Sequence, residues 1–477
     1  MPQQLKKSIG LWSAVSIVIG SVIGAGIFMR PASMAQRLGS PGLLMLVWLV
    51  AGAASFLGAM IYAELGTLFP ETGGPYVYLQ KTYGAFTAFI YGWSTMAVIN
   101  TAGIASIAFV CAQYAGFFIH LPRFDPATEA SIKLHIPFTA DIYPLENFGV
   151  KALASSLLLA LIVVNYLSTR FGNTLQFLAT VVKAVAIALL IGGLFLSGKG
   201  HAANFITNSP DFHPTFLLIL TGFMAATSGA FSSYDGWNNI TMVAGELENP
   251  SRNISKSLFF GLGACIAVYV LVTLSFNYVL PIGQIANSPL VAADAMQKVW
   301  GVAAAGLVSV LIIISTFGAT QVNLLTNARI VFAMGEDGNL FRWTGKVQPR
   351  YGTPGNAVIF IGVWSIALIF SGSFDILADM FVFMTWVFHA LFAVALIVLR
   401  KKMPDTPRPY RVKAYPLIPI IFIAFTLFYL ITTVYNDIVA YNSGKAPIIN
   451  SVFGLLLTAT GIPFYLYFQR KSGKHAK

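Results

Sequence analysis

The sequence predicts an all-α membrane protein with twelve transmembrane helices, and three observations carry that expectation. Only 10% of the 477 residues are charged and 57% are hydrophobic, with a mean hydropathy of +0.74. A soluble domain has about a quarter charged residues, so this chain has too few to cover a water-facing surface. Uncharged apolar runs such as 42–63 and 416–435 reach the roughly 20 residues a helix needs to cross a bilayer. The net charge of +12 sits on residues placed between the apolar runs. That placement speaks for membrane topology and against a nucleic-acid-binding face.

Reading apolar runs against breakers places the spans near 11–37, 42–69, 84–118, 149–168, 172–197, 215–245, 255–280, 300–334, 355–372, 375–400, 414–436 and 447–469. The loops are mostly short, so a single compact bundle over 1–477 is expected; the longest loops are 119–148 and 198–214. An even number of spans puts both termini on one side. That side collects 20 of the 29 Lys and Arg residues, against 8 opposite (Arg30 and Arg37 among them) and Lys183 within a span. The excess predicts cytoplasmic termini in a cell (inner) membrane. Cys111 and Cys265 both fall in apolar runs and are expected as small core residues. The first apolar run begins near Ile9 and is too long for a cleavable leader.

Two spans carry anomalies. Span 1 reads Ile17-Val18-Ile19-Gly20-Ser21-Val22-Ile23-Gly24-Ala25-Gly26-Ile27-Phe28. Its glycines fit either close helix packing or an unwound segment where main chain approaches a ligand. Span 6 reads Ser228-Gly229-Ala230-Phe231-Ser232-Ser233-Tyr234-Asp235-Gly236-Trp237-Asn238-Asn239. It sets polar groups and an ionisable Asp235 inside an apolar run, where a charge costs about 2.5–3.5 kcal/mol on insertion scales. The first ten spans divide five and five. Interruptions at corresponding places of two halves point to a transporter site between inverted repeats, 11–197 and 215–400, followed by two extra spans, 414–469. A broken helix bares N–H groups on one side of the break and C=O groups on the other. The first suit a carboxylate and the second an ammonium, so two such breaks match a zwitterion such as an amino acid.

The same residues resemble the amino acid–polyamine–organocation (APC) superfamily, and within it the L-type amino-acid exchangers and their bacterial relatives. Ile23-Gly24-Ala25-Gly26-Ile27-Phe28 is similar to the family's span 1 motif, where a serine is common at Ala25. Gly39-Ser40-Pro41-Gly42, Tyr62-Ala63-Glu64-Leu65-Gly66-Thr67 and Gly73-Gly74-Pro75-Tyr76-Val77-Tyr78 resemble spans 2 and 3. Tyr234-Asp235-Gly236-Trp237-Asn238 with Glu246-Leu247-Glu248-Asn249-Pro250 resembles span 6 and its exit. Phe317-Gly318 through Asn327-Ala328-Arg329, and Arg408-Pro409-Tyr410-Arg411-Val412, resemble span 8 and the loop after span 10.

The resemblance implies a LeuT-type fold of 5+5 inverted repeats plus two spans, working by alternating access. It implies a substrate carboxylate on the N–H groups of Gly24, Ala25 and Gly26. It implies a substrate amine on carbonyls near Ile23 and near Phe231, Ser232 and Tyr234, with Gly236 at the second break. Lys183 stands where sodium-coupled relatives hold an ion and is expected to bridge spans 1 and 8, making sodium unnecessary. Relatives carry an aromatic gate five residues before Trp237; here that place is Ser232, with Phe231 beside it. Either Phe231 gates by a register shift or the pocket is roomier. Trp237, Asp235 and Arg329 are further gating candidates, Arg329 with Glu246 or Glu248. Glu64 and His389 are expected to pair or pack structurally, and Asn323 to line the pocket. Loop 119–148 lacks the cysteine that links animal L-type members to a heavy chain, so no disulfide-linked partner is expected.

The function implied is sodium-independent exchange of neutral L-amino acids. Proton-coupled uptake of amino acids or amines, with Lys183 titrating, is the alternative. No metal-ligand cluster, cofactor motif or nucleophile–base pair points to an enzyme, and no filter sequence points to a channel. Membrane lipid and a small amino acid are the expected partners.

Overall fold

The computed structural model describes residues 9–71, 73–136, 140–167, 170–210, 212 and 215–473. The chain ends that the sequence assigns to the cytoplasm fall largely outside them. Every predicted span contains helix. Nine helices are long and apolar enough to cross a membrane among the described residues, and a tenth crossing arises when a bent pair is joined. That pair is α1 (Leu11–Val22) and α2 (Gly26–Leu38), which meet at 44°. The segments Val181–Phe195 and Gly355–Ser371 are shorter apolar helices.

Local chemistry sets the helix ends. Gly39 closes α2 in the left-handed region at φ +58°, its N–H bonding Ala35 O at 2.8 Å, as a glycine after a helix end does. Prolines open α3 (Pro41–Leu68) and α4 (Pro75–Tyr83) at their first position, where a missing N–H costs nothing. Next comes α5 (Ala85–Ala115), with a π-helical turn at Thr95–Ile99.

The chain packs as two compact units. The first comprises Met1–Tyr91, His201–Asn287 and Thr385–Thr433; the second comprises Gly92–Gly200, Ser288–Met384 and Val434–Lys477.

In the first unit, α1 and α3 pack against the long helix Pro250–Val279, and α2 packs against Phe216–Tyr234. The chain before α1 is clipped to the exit of span 6. Ile9 pairs in parallel with Leu247, its N–H bonding Glu246 O at 3.1 Å and its carbonyl receiving Glu248 N–H at 2.9 Å.

In the second unit, Phe148–Leu167 and Arg170–Phe195 pack on Val302–Glu336. Buried amides hold it together: Asn165 and Gln321 exchange hydrogen bonds of 2.8 and 2.7 Å, and Asn100 donates to Asn327 at 2.6 Å. The π turn in α5 frees a carbonyl, and the Trp364 indole N–H takes Ala97 O at 2.8 Å. Loop 119–148 folds on a short helix, Pro126–Ser131, and a hairpin pairing Leu134–Ile136 with Ala140–Ile142. Asp141 anchors that hairpin. Its carboxylate receives Lys133 at 2.9 Å and His135 at 2.7 Å, and its N–H bonds Pro447 O at 2.6 Å. The His135 hydrogen bond, then that of Lys133, holds the Asp141 carboxyl below its ordinary range.

Candidate substrate site

Both anomalous spans are interrupted. Span 1 leaves the helix at Ile23, which is extended (φ −70°, ψ 99°), and resumes at Gly26. Span 6 leaves it at Asp235 (φ −60°, ψ 149°) and Gly236, which is left-handed at φ +102°, and resumes as a 3-10 helix over Trp237–Glu246. Glycine supplies that dihedral without a Cβ penalty. Asp235 is the residue at which the first helical half of span 6 ends, so it stands in the turn itself.

The two breaks are pressed together, and glycine makes this possible. A Cβ on Gly26 would lie 2.5 Å from Ser233 Oγ and 2.9 Å from Ser233 Cα. A Cβ on Gly236 would lie 2.8 Å from Ser21 O. Each glycine faces the other span's main chain, so the poles of both breaks share one place. Two helix C-termini, at Val22 and Tyr234, and one N-terminus, at Gly26, meet there. Their unpaired groups carry partial charges of opposite sign.

The predicted residues of the first unit fall around this junction. Ile23, Ala25, Phe231, Tyr234 and Trp237 are all buried. Phe231 and Ser232 take different roles. Phe231 stacks on Trp386 with ring centroids 3.7 Å apart and meets Tyr429 edge-on at 5.1 Å. Ser232 Oγ accepts from Arg30 Nε at 2.9 Å. The aromatic side chain at this turn of span 6 therefore belongs to Phe231. Trp237 stacks on His389 at 5.2 Å and meets Tyr62 at 4.9 Å; Tyr62 Oη and His389 Nδ1 form a hydrogen bond of 2.9 Å. His389 is thus a packed core residue.

Arg30, counted by sequence on the outer side, has its side chain fully buried on α2. Tyr269 and Trp386 were not singled out by sequence at all. Each is one aromatic residue in an apolar run, with no polar or glycine anomaly to mark it.

Lys183 is buried, 8% exposed, on the helix Arg170–Phe195 in the second unit. Arg329 is exposed on Val302–Glu336, and Asn323 Nδ2 bonds Ala319 O at 2.8 Å on the same helix. Glu64, near the end of α3, is fully buried and held from three directions. Arg400 Nε and Nη2 donate to its two oxygens at 2.8 and 2.6 Å, Val412 N–H donates at 2.7 Å, and Arg408 Nε lies at 3.2 Å. This paired carboxylate joins α3, span 10 and the loop behind it, as a structural Glu64 should. Among the described residues, no group of three or more His, Cys, Asp or Glu is arranged to hold a metal ion.

The amino acid permease family profile matches residues 9–457. The chain is 29% identical over 465 residues to b(0,+)-type amino acid transporter 1 of Homo sapiens, covering 97% of this chain and 88% of that protein. It is 30% identical over 409 residues to the Oryctolagus cuniculus protein of the same description, covering 86% and 79%. It is 30% identical over 480 residues to large neutral amino acids transporter small subunit 2 of Mus musculus, covering 98% and 82%. The chain belongs to the amino acid permease family of the APC superfamily, and it is a multi-pass membrane protein of a transporter family, not an enzyme.

Proposed function

We propose that this protein carries amino acids across the cell membrane by alternating access, as a sodium-independent exchanger of neutral L-amino acids. The observation that carries the reading is the junction of the two breaks, where Gly26 abuts Ser233 and Gly236 abuts Ser21. It offers main-chain poles of both signs and needs no charged side chain to hold a zwitterion. The carboxylate rests on the N–H groups of Gly24, Ala25 and Gly26. The ammonium rests on carbonyls near Ile23 and near Phe231, Ser232 and Tyr234, with Gly236 setting the turn. Relatives described as b(0,+)-type and large neutral amino acid transporters support the substrate class.

Twelve spans in a LeuT-type 5+5 arrangement, with repeats 11–197 and 215–400 and two further spans over 414–469, complete the reading. Part of the division of the chain supports it: spans 1, 2, 6 and 7 fall in the first unit and spans 4, 5, 8 and 9 in the second, while span 10 lies mostly in the first. Phe231 forms the gate, with Trp237 and Asp235 beside it and Arg329 at the inner mouth. Lys183 provides a fixed cation in place of a bound one. Both termini are cytoplasmic. One relative is described as a small subunit. Loop 119–148 here has no cysteine, so a covalent partner attached through it is not part of this proposal.

A buried amine at Lys183 supports a second reading, proton-coupled uptake in which that amine gains and loses the proton. Purified protein in liposomes separates the two. Exchange requires that internal amino acid accelerate uptake without sodium. Accumulation driven by a pH gradient with no internal substrate would assign proton coupling instead, and no uptake of any of the twenty amino acids would remove the whole reading.

A further inference from the structure

The chain leaving span 8 turns back at once and is pinned where it turns. A Cβ on Gly335 would collide with Gly345 N, so the end of the helix Val302–Glu336 and residue 345 touch through main chain. Thr344 Oγ1 donates to Phe341 O at 2.8 Å, and Asn356 Nδ2, at the start of span 9, donates to Trp343 O at 2.7 Å. The C-terminal helix Gly461–Gly473 lies against the same turn, where Phe341 meets Phe464 and Phe468 edge-on at 5.9 and 5.8 Å. Between turn and helix, within the second unit, lies a cavity of about 260 Å³ whose walls include Leu340, Phe341, Arg342, Trp343, Tyr467 and Phe468.

This lining joins two chemistries. Leu340 and Phe468 are buried, whereas Trp343 and Tyr467 are 43% and 55% exposed. Tryptophan and tyrosine at the ends of spans sit at the level of lipid headgroups. Arg342 is exposed and makes no ion pair among the described residues. Lys346 and Arg350 are exposed in the same turn, against the exposed carboxylates Glu336 and Asp337 at the helix end. A soluble anion would use the guanidinium and leave the aromatic wall bare. A phospholipid brings a phosphate and an apolar chain joined at that depth, and guanidinium matches phosphate with two parallel N–H groups. An anionic headgroup gains from Lys346 and Arg350 as well, whereas a zwitterionic one carries its own cation. Small-molecule sites begin at roughly 300 Å³, so the cavity suits a glycerophosphate and the first carbons of a chain, with the remainder in the bilayer.

We propose that this cavity binds one anionic phospholipid, with its phosphate on Arg342 and the start of an acyl chain along Phe341, Trp343 and Tyr467. The bound lipid ties the exit of span 8 to the C-terminal helix. The inference goes beyond the transport reading and stands on membrane residence alone.

The test titrates the full chain, delipidated in neutral detergent, with phosphatidylglycerol and with phosphatidylcholine of the same chains, and counts retained lipid by native mass spectrometry. Wild type holds one phosphatidylglycerol and prefers it at least about fivefold, the scale of one basic residue at a charged lipid surface. Arg342→Gln brings the preference within about twofold. Tyr467→Ala weakens both lipids at least about threefold. Arg411→Gln, an exposed change in the loop after span 10, leaves the preference intact. Full preference in Arg342→Gln, equal loss in Arg411→Gln, or unchanged binding in Tyr467→Ala overturns the site. Glycerol 3-phosphate that competes as well as the lipid makes it an anion site and overturns the lipid. Should the variants not fold, photoactivatable phosphatidylglycerol on wild type decides: label on 340–343 or 467–468 supports the inference, and label only elsewhere overturns it.

Discussion

Arg30 on α2 donates through Nε to Ser232 Oγ at 2.9 Å, tying the second half of one broken span to the first half of the other. The bond occupies the position where family resemblance places an aromatic gate, and the neighbouring Phe231 stacks on Trp386. Installing the ring should therefore not restore a gate. Ser232→Phe removes the acceptor and crowds Arg30, and we expect a loss of about 1–3 kcal/mol together with slower exchange. A thermal melt and an exchange assay check it; wild-type stability and rate would refute the division of roles.

Gly26 should tolerate no side chain. A Cβ there meets Ser233 Oγ and Cα at 2.5 and 2.9 Å, and Ser233 Cα cannot move without shifting the span. Gly26→Ala should weaken substrate binding at least about tenfold, and Gly26→Leu should abolish it, an overpacking effect aimed at the junction. Titration calorimetry on monodisperse protein gives the answer, and normal binding by the leucine variant would remove the site.

Lys183→Ala should slow exchange while leaving equilibrium substrate binding within about threefold, since Lys183 is assigned to coupling and not to the substrate. Rates and binding measured across pH 6–9 test this. Exchange at the wild-type rate would leave Lys183 with packing alone.

Glu64 receives Arg400, Arg408 and Val412 N–H while fully buried. Glu64→Gln should cost about 3–5 kcal/mol, because it strands buried guanidinium charge. Glu64→Met with Arg400→Met should recover part of that loss. Denaturation in mild detergent measures both, and equal damage from the single and double changes would deny the coupling.

The hairpin of loop 119–148 should open in acid. The Asp141 carboxyl is held below its ordinary value by His135 and Lys133, so its contribution is fully present above its unfolded pKa of about 3.9. That contribution is lost as pH falls through the folded value. Amide exchange at residues 134–136 and 140–142 should accelerate below about pH 4, and Asp141→Asn should already exchange fast at pH 7. Slow exchange in the variant would show that the backbone bond to Pro447 suffices.

What the sequence made legible was what leaves a chemical anomaly in an apolar run. Gly24–Gly26 and Asp235–Gly236 stood out because glycine and a carboxylate are costly in mid-membrane, and both spans break there. Ser232 and Phe231 showed a departure from the family's aromatic position, and left open a register shift or a roomier pocket. Tyr269 and Trp386 stayed hidden because aromatic residues are ordinary in apolar helices and their importance lies in partners far along the chain. The partner of Arg30 was not legible, because a count of charges by position carries no information on contacts, and this guanidinium finds a hydroxyl inside. The π turn at Thr95–Ile99 and the hairpin before Asp141 depend on tertiary partners, Trp364 and Pro447, that no local pattern announces.

The parallel pairing of Ile9 with Leu247 has a mechanical outcome. Because the N–H and the carbonyl of residue 9 are both bonded to the chain leaving span 6, a tilt of α1 drags 246–248 along, coupling the first half of span 1 to the exit of span 6. A spectroscopic label placed at position 10 should therefore report the same displacement as one at position 248, and cutting the pairing with a proline at position 9 should let the two drift apart.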